Sequence, residues 1–129
     1  LSREEWDMGI NSRLMGQVNL TQIGCKYLND GGSITLTSGI IADYPIAYGT
    51  SAATLNGAIQ HFVKAVSVEL PNNIRINVVS QTVVTDSLDS YGDYFPGFNS
   101  INAKDLAKYY VRSVLGVETG QTFRAFAGN

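Results

Sequence analysis

The chain has 129 residues, one domain's worth or less, enough to bury a core. Nine basic against eleven acidic residues give a net charge of -2, which argues against nucleic acid or an anionic membrane as partner, since both attract a basic face. Cys25 is the one cysteine and His61 the one histidine, so an intramolecular disulfide and a Cys/His zinc site are both excluded.

Ser2-Arg3-Glu4-Glu5 is a capping box, in which the Ser hydroxyl and the Glu three residues on satisfy free N–H groups. A helix follows and is expected to run to about Leu28. Trp6, Ile10, Leu14 and Val18 recur at four-residue spacing, and Met8, Met15, Leu20 and Ile23 widen the apolar stripe beyond one face. Asn29-Asp30-Gly31-Gly32 stops it. Ser33 to Ser38 reads as a short strand rich in β-branched residues. After a loop from Gly39 to Ala47, a second helix is expected from Tyr48 or Gly49 to Leu70. Leu55, Ile59, Phe62, Val63 and Val66 carry its helical spacing, and Ala53, Gly57 and Ala58 form a small-residue patch.

Pro71-Asn72-Asn73 ends that helix, and Ile74 to Ser80 is a second strand. Asp86 to Ser100 is a loop with four aromatics, Tyr91, Tyr94, Phe95 and Phe98, open to two readings: a substrate lid or ordinary packing. Asn102 caps a third helix that ends at Gly116, and Gly120 to Phe126 holds a last strand. The alternation indicates right-handed crossovers and a parallel sheet. No apolar run is long enough to span a bilayer and no signal peptide is visible. The expectation is a soluble, reduced, cytoplasmic protein.

Several of these segments, in this order, resemble the short-chain dehydrogenase/reductase family. Asn11, in Ile10-Asn11-Ser12, resembles the family's helix asparagine, which holds a proton-relay water. Gly31 to Ser38 resembles the strand that ends at the catalytic serine, and Tyr48-Gly49-Thr50-Ser51-Ala52-Ala53 the start of the catalytic helix. Val66 to Leu70 with Ile74-Arg75-Ile76-Asn77 resembles the end of that helix and the next strand. Thr85 falls where the family has a threonine near the nicotinamide, and Thr119-Gly120-Gln121 resembles the turn into the last strand. The resemblance implies an α/β fold: a Rossmann-like doubly wound parallel sheet, with residues 1–129 as the C-terminal part of one domain. The N-terminal nucleotide-binding half is not among these residues. Leu1 stands where a methionine would start a chain, which points either to a processed start or to a piece of a longer one.

On the resemblance, Tyr48, Ser38 and Asn11 are the expected catalytic residues, and Thr85 and Tyr48 the expected contacts to NAD or NADP. The substrate is a small carbonyl or alcohol, and the family's helices also form a homo-oligomer interface. Three departures matter. The lysine of the family's Tyr-x-x-x-Lys falls on Ala52, Gln81-Thr82 replaces a Pro-Gly pair, and a gapless match puts Gly39, not Ser38, at the catalytic serine. A tyrosine titrates near 10, so work near neutrality needs a shift of about 2 to 3 units, or roughly 3–4 kcal/mol. Ala52 supplies none of it, and Lys64 lies roughly 24 Å further along the helix. No glycine-rich phosphate-binding turn follows a strand.

The leading expectation is an NAD(P)-dependent oxidoreductase of the short-chain type. The alternatives are a catalytically degenerate relative that binds a nucleotide or a partner, and an incomplete piece without activity of its own.

Overall fold

A computed structural model describes all 129 residues. Helix α1 (Arg3–Gly9) passes through a π-helical turn (Ile10–Leu14) into α2 (Met15–Gly24). There follow β1 (Ser33–Gly39), α3 (Thr50–Val66), β2 (Arg75–Gln81), a short α4 (Leu88–Tyr91), α5 (Ala103–Leu115) and β3 (Thr122–Ala125). The capping box forms: Glu5 N–H donates to Ser2 Oγ at 3.1 Å, and Ser2 N–H to Glu5 Oε1 at 3.4 Å. Asn102 caps α5 by accepting from Asp105 N–H at 2.8 Å.

The strands make one parallel sheet in the order β1-β2-β3, with Leu36 opposite Val78 and Val79 opposite Phe123. Side chains alternate between the two faces of each strand. Leu36, Ile76 and Val78 meet Ile59 and Val63 of α3, with Leu14 from the π turn beside them. On the opposite face Val79, Phe123 and Ala125 meet Ile101 and Leu106, Tyr109 and Tyr110 of α5. Helices therefore cover both faces, and the chain is an α/β unit of the Rossmann-like, doubly wound type.

The expected pair of right-handed crossovers is not what forms. With the strand order advancing in one direction, two connections of the same hand would place their helices on one face. Here α3 and α5 lie on opposite faces, so the two crossovers have opposite hands. The second connection is the longer one before its helix: residues 82–102 separate β2 from α5, against residues 40–49 between β1 and α3.

Both long helices also end before the expected residue. Beyond Gly24 the chain tightens to i+3 bonds, Lys26 N–H to Ile23 O and Tyr27 N–H to Gly24 O. Beyond Val66 the Ser67 hydroxyl donates to Lys64 O at 2.9 Å, competing with the helical pattern. The segment read as a loop from Asp86 to Ser100 contains short helical turns, Thr85–Ser87, α4 and Gly92–Tyr94.

Candidate functional site

In open parallel sheets, ligands bind in the crevice beyond the carboxyl ends of the strands. Here that crevice is a cleft of about 380 Å³, with Ser38 and Gly39 from the end of β1 and Gln81 to Val84 from the end of β2. Asn56 of α3 and Arg13 of the π turn close one side, and Ser87, Tyr91 and Phe95 come from the aromatic segment opposite. A larger hollow of about 480 Å³ lies between α5 and the last residues. It shares no residue with the cleft, and its Asp105 and Lys108 pair with each other at 3.3 Å.

The cleft is rigidly framed. Gln60 of α3 donates to Ser38 Oγ at 3.0 Å and reaches Ser80 Oγ at 3.4 Å, tying the ends of β1 and β2 together. Ser38 is buried and accepts this bond, so its O–H proton remains available to a ligand. The root of the aromatic segment is closed by a parallel bridge between Val84 and Ile101. Asn129 stitches it to Thr82 Oγ1 at 3.2 Å and Asn99 O at 2.9 Å. Phe95 and Phe98 pack edge to face at 5.6 Å within it, and Phe95 also lines the cleft. The lid and packing readings of this segment therefore both describe part of it.

The expected site residues are dispersed. Ser38 lines the cleft. Tyr48 does not: it is 97% exposed, holds a positive φ of 62° just before the Gly49 cap, and lines a separate cavity of about 400 Å³ with Ile46, Tyr94 and Phe98. It precedes the first turn of α3, so its side chain does not share the stripe of Leu55, Ile59 and Val63 that faces the sheet. Asn11 is exposed in the π turn, and Arg13, two residues on, reaches the cleft instead. Thr85 is exposed and its hydroxyl pairs with Ser100 at 2.9 Å, while its neighbours Val84 and Ser87 line the cleft.

Arg13, Asn56 and Gln60 were not among the expected site residues. Only Asn56 had a signal in the sequence: it falls three residues before Ile59 and seven before Val63, on the sheet-facing side of α3. Asn56 comes against Gly39, with its Nδ2 only 3.0 Å from where a Cβ on Gly39 would stand. The α3 residue that lines the cleft is therefore Asn56, and neither Tyr48 nor Ala52 does.

The family model for enoyl-(acyl carrier protein) reductase matches residues 1–121. Among solved structures, the protein lin1944 from Listeria innocua is 42% identical with a TM-score of 0.94, over 96% of this chain and 62% of that one. A small-chain dehydrogenase shares 26% identity at a TM-score of 0.80, over 97% of this chain and 58% of that one. Another, in complex with NADPH, shares 24% at 0.86, over 99% and 64%. No curated protein matches. The chain belongs to the short-chain dehydrogenase/reductase family of oxidoreductases, and it spans about three-fifths of the length of these solved relatives.

Proposed function

We propose that the intact protein is an NAD(P)-dependent oxidoreductase of the short-chain type, acting on a small carbonyl or alcohol in the cleft at the strand ends. The observation that carries this reading is the cleft itself, polar at the carboxyl ends of β1 and β2 and walled by an aromatic segment, in a chain of this family. The NADPH complex of a structural neighbour supports a nicotinamide cofactor. These residues fit one end of such a cofactor only. A pyrophosphate needs backbone N–H groups at a helix start after a glycine-rich turn, and none follows a strand here. Residues outside these 129 would supply it.

A bound nicotinamide would supply hydride exchange at the substrate carbon; this chain must orient the substrate and move the proton at its oxygen. The Ser38 hydroxyl, held by Gln60, is placed to donate to that oxygen. Two phenols compete as acid: Tyr48 by its motif and Tyr91 by its place in the cleft wall. The geometry favours Tyr91. Turnover of the intact protein with both cofactors and a panel of carbonyls tests this. Tyr91→Phe is expected to lower kcat on the order of 100-fold, the scale of lost general acid catalysis, while Tyr48→Phe leaves it within about twofold. The reverse result restores Tyr48. Absence of turnover in the wild type favours the second reading, a catalytically degenerate binding protein, which the placement of Asn56 against Gly39 supports.

A further inference from the structure

We propose that Arg13 and Asn56 form an anion-binding pair in the cleft and that the substrate they select carries a carboxylate. The inference rests on the cleft's being the substrate site and adds the chemical class of the ligand.

Four observations converge on it. First, Arg13 is the one arginine of the chain without a partner. Arg3 pairs with Asp7 at 3.1 Å, Arg112 with Glu118 at 2.7 Å and Arg124 with Asp43 at 2.7 Å. Arg75 donates to the carbonyls of Ser113 and Val114 at 2.7 and 2.8 Å. The Arg13 side chain is exposed and its guanidinium makes no hydrogen bond or ion pair, and Arg13 is one of the residues that line the cleft. Glu5, which shares an adjoining hollow with Arg13, is engaged by the Ser2 cap.

Second, no aspartate or glutamate lines the cleft, so Arg13 sets the sign of its field. A guanidinium presents a fork of donors matched to the two oxygens of a carboxylate. Third, the half-buried amide of Asn56 also makes no hydrogen bond. It stands against Gly39, and the missing Cβ leaves its Nδ2 open toward the strand end.

Fourth, the helix is built to aim Arg13. Arg13 sits in the π turn, which inserts a residue and redirects the side chains beyond it. One turn later Gln17 grips the edge of β1, accepting from Thr37 N–H at 3.0 Å and donating to Thr37 O at 3.2 Å. That clamp fixes the helix against the strand that carries Ser38 and Gly39.

The test is calorimetric binding to the intact protein of pyruvate, acetoacetate and levulinate, each against its methyl ester, with and without cofactor. At least one acid is expected to bind about tenfold or more tightly than its ester, the scale of a charged hydrogen bond. Arg13→Gln should bring the pair within about twofold, Arg13→Lys should keep part of the preference, and Asn56→Asp should abolish it by repulsion. Unchanged thermal unfolding of Arg13→Gln, whose side chain makes no bond here, excludes misfolding as the cause. Acids and esters bound alike, no acid bound, or a preference that survives Arg13→Gln overturns the proposal. If instead Arg13→Gln weakens NAD(P) binding while no acid preference exists, the anion is a cofactor phosphate and the carboxylate assignment falls. An acid preference without turnover sustains the pair while removing the oxidoreductase reading.

Discussion

Gly39 shows how much a single missing Cβ decides in this cleft. It sits at the end of β1 with an ordinary extended backbone, φ -151°, so conformational need does not explain the glycine. Space does: a Cβ there would stand 3.0 Å from Asn56 Nδ2 and 3.8 Å from Gln81 O. The Asn56 amide would have to move by a few tenths of an ångström. Gly39→Ala is therefore expected to destabilise by about 1 kcal/mol, at the low end of overpacking costs. In the Asn56→Ala background that penalty should vanish, because the side chain it meets is gone. A double-mutant cycle by denaturant unfolding reads the coupling directly. Equal penalties in both backgrounds would show that Asn56 does not restrict position 39. The same contact bears on the departure from the family's serine: any side chain at 39 brings a Cβ to 3.0 Å from the Asn56 amide.

At the scale of elements, polar side chains join pieces whose apolar contacts alone would leave their ends loose. Arg75 at the start of β2 caps the last carbonyls of α5, and buried Asn77 donates to Glu118 O at 2.9 Å and accepts from Gln121 N–H at 3.0 Å. The connection from α5 to β3 carries a further bond, the two-pronged pair of Arg112 with Glu118 at 2.7 and 2.9 Å. The hydrogen bonds from Arg112, with its positive charge, hold the Glu118 carboxyl below its ordinary pKa. A carboxylate whose folded pKa is depressed contributes stability that is present above its unfolded value and lost as pH falls through the folded one. Stability is therefore expected to decline on acidification below about pH 4.3, more steeply in the wild type than in Glu118→Gln. Both side chains are largely solvated, so the difference should be small and shrink in high salt. Thermal unfolding over a pH series in both proteins checks it; parallel curves would mean that the pair adds nothing.

At the scale of the whole molecule, one apolar face has no counterpart within the chain. Met8, Leu20 and Ile23 of α1 and α2 are 72%, 61% and 58% exposed. The Ala53/Gly57/Ala58 patch of α3 leaves room for a close approach: a Cβ on Gly57 would meet nothing within 4 Å. No helix is long and apolar enough to cross a membrane. We propose that the protein is a homo-oligomer packed through α1–α2 and α3. Sedimentation at tens of micromolar is expected to show a dimer or larger species, and Leu20→Glu with Ile23→Glu should shift it toward monomer. A wild-type monomer under those conditions would remove the proposal.

The local signals of the fold were legible because each depends on neighbours in sequence. The capping box at Ser2, the β-branched run of β1, the Asn102 cap and the alternation of helix and strand all specified their elements, and the parallel Rossmann-like sheet followed from their order. Even the π turn left a trace. Apolar residues at strict four-residue spacing from Trp6 to Val18 drift about 40° per step around an α-helix, and the inserted residue takes up that drift. Ser38 was an expected site residue on the family resemblance, and it lines the cleft because it ends a strand. The rest of the site is a meeting of distant segments. That Arg13 rather than Asn11 borders the cleft depends on the extra residue of a π turn. That Asn56 rather than Tyr48 faces β1 depends on where α3 starts, after the Gly49 cap, a boundary that periodicity fixes only to within a few residues. The opposite hands of the two crossovers could not be read from periodicity, since the twenty-one residues from Thr82 to Asn102 that lead into α5 carry no long period. Sequence by itself determined the elements and their parallel order, since hydrophobic period and capping act over a turn or a strand. Only the tertiary structure decided which side chains share the cleft, because that is set by helix phase and by contacts between residues far apart along the chain.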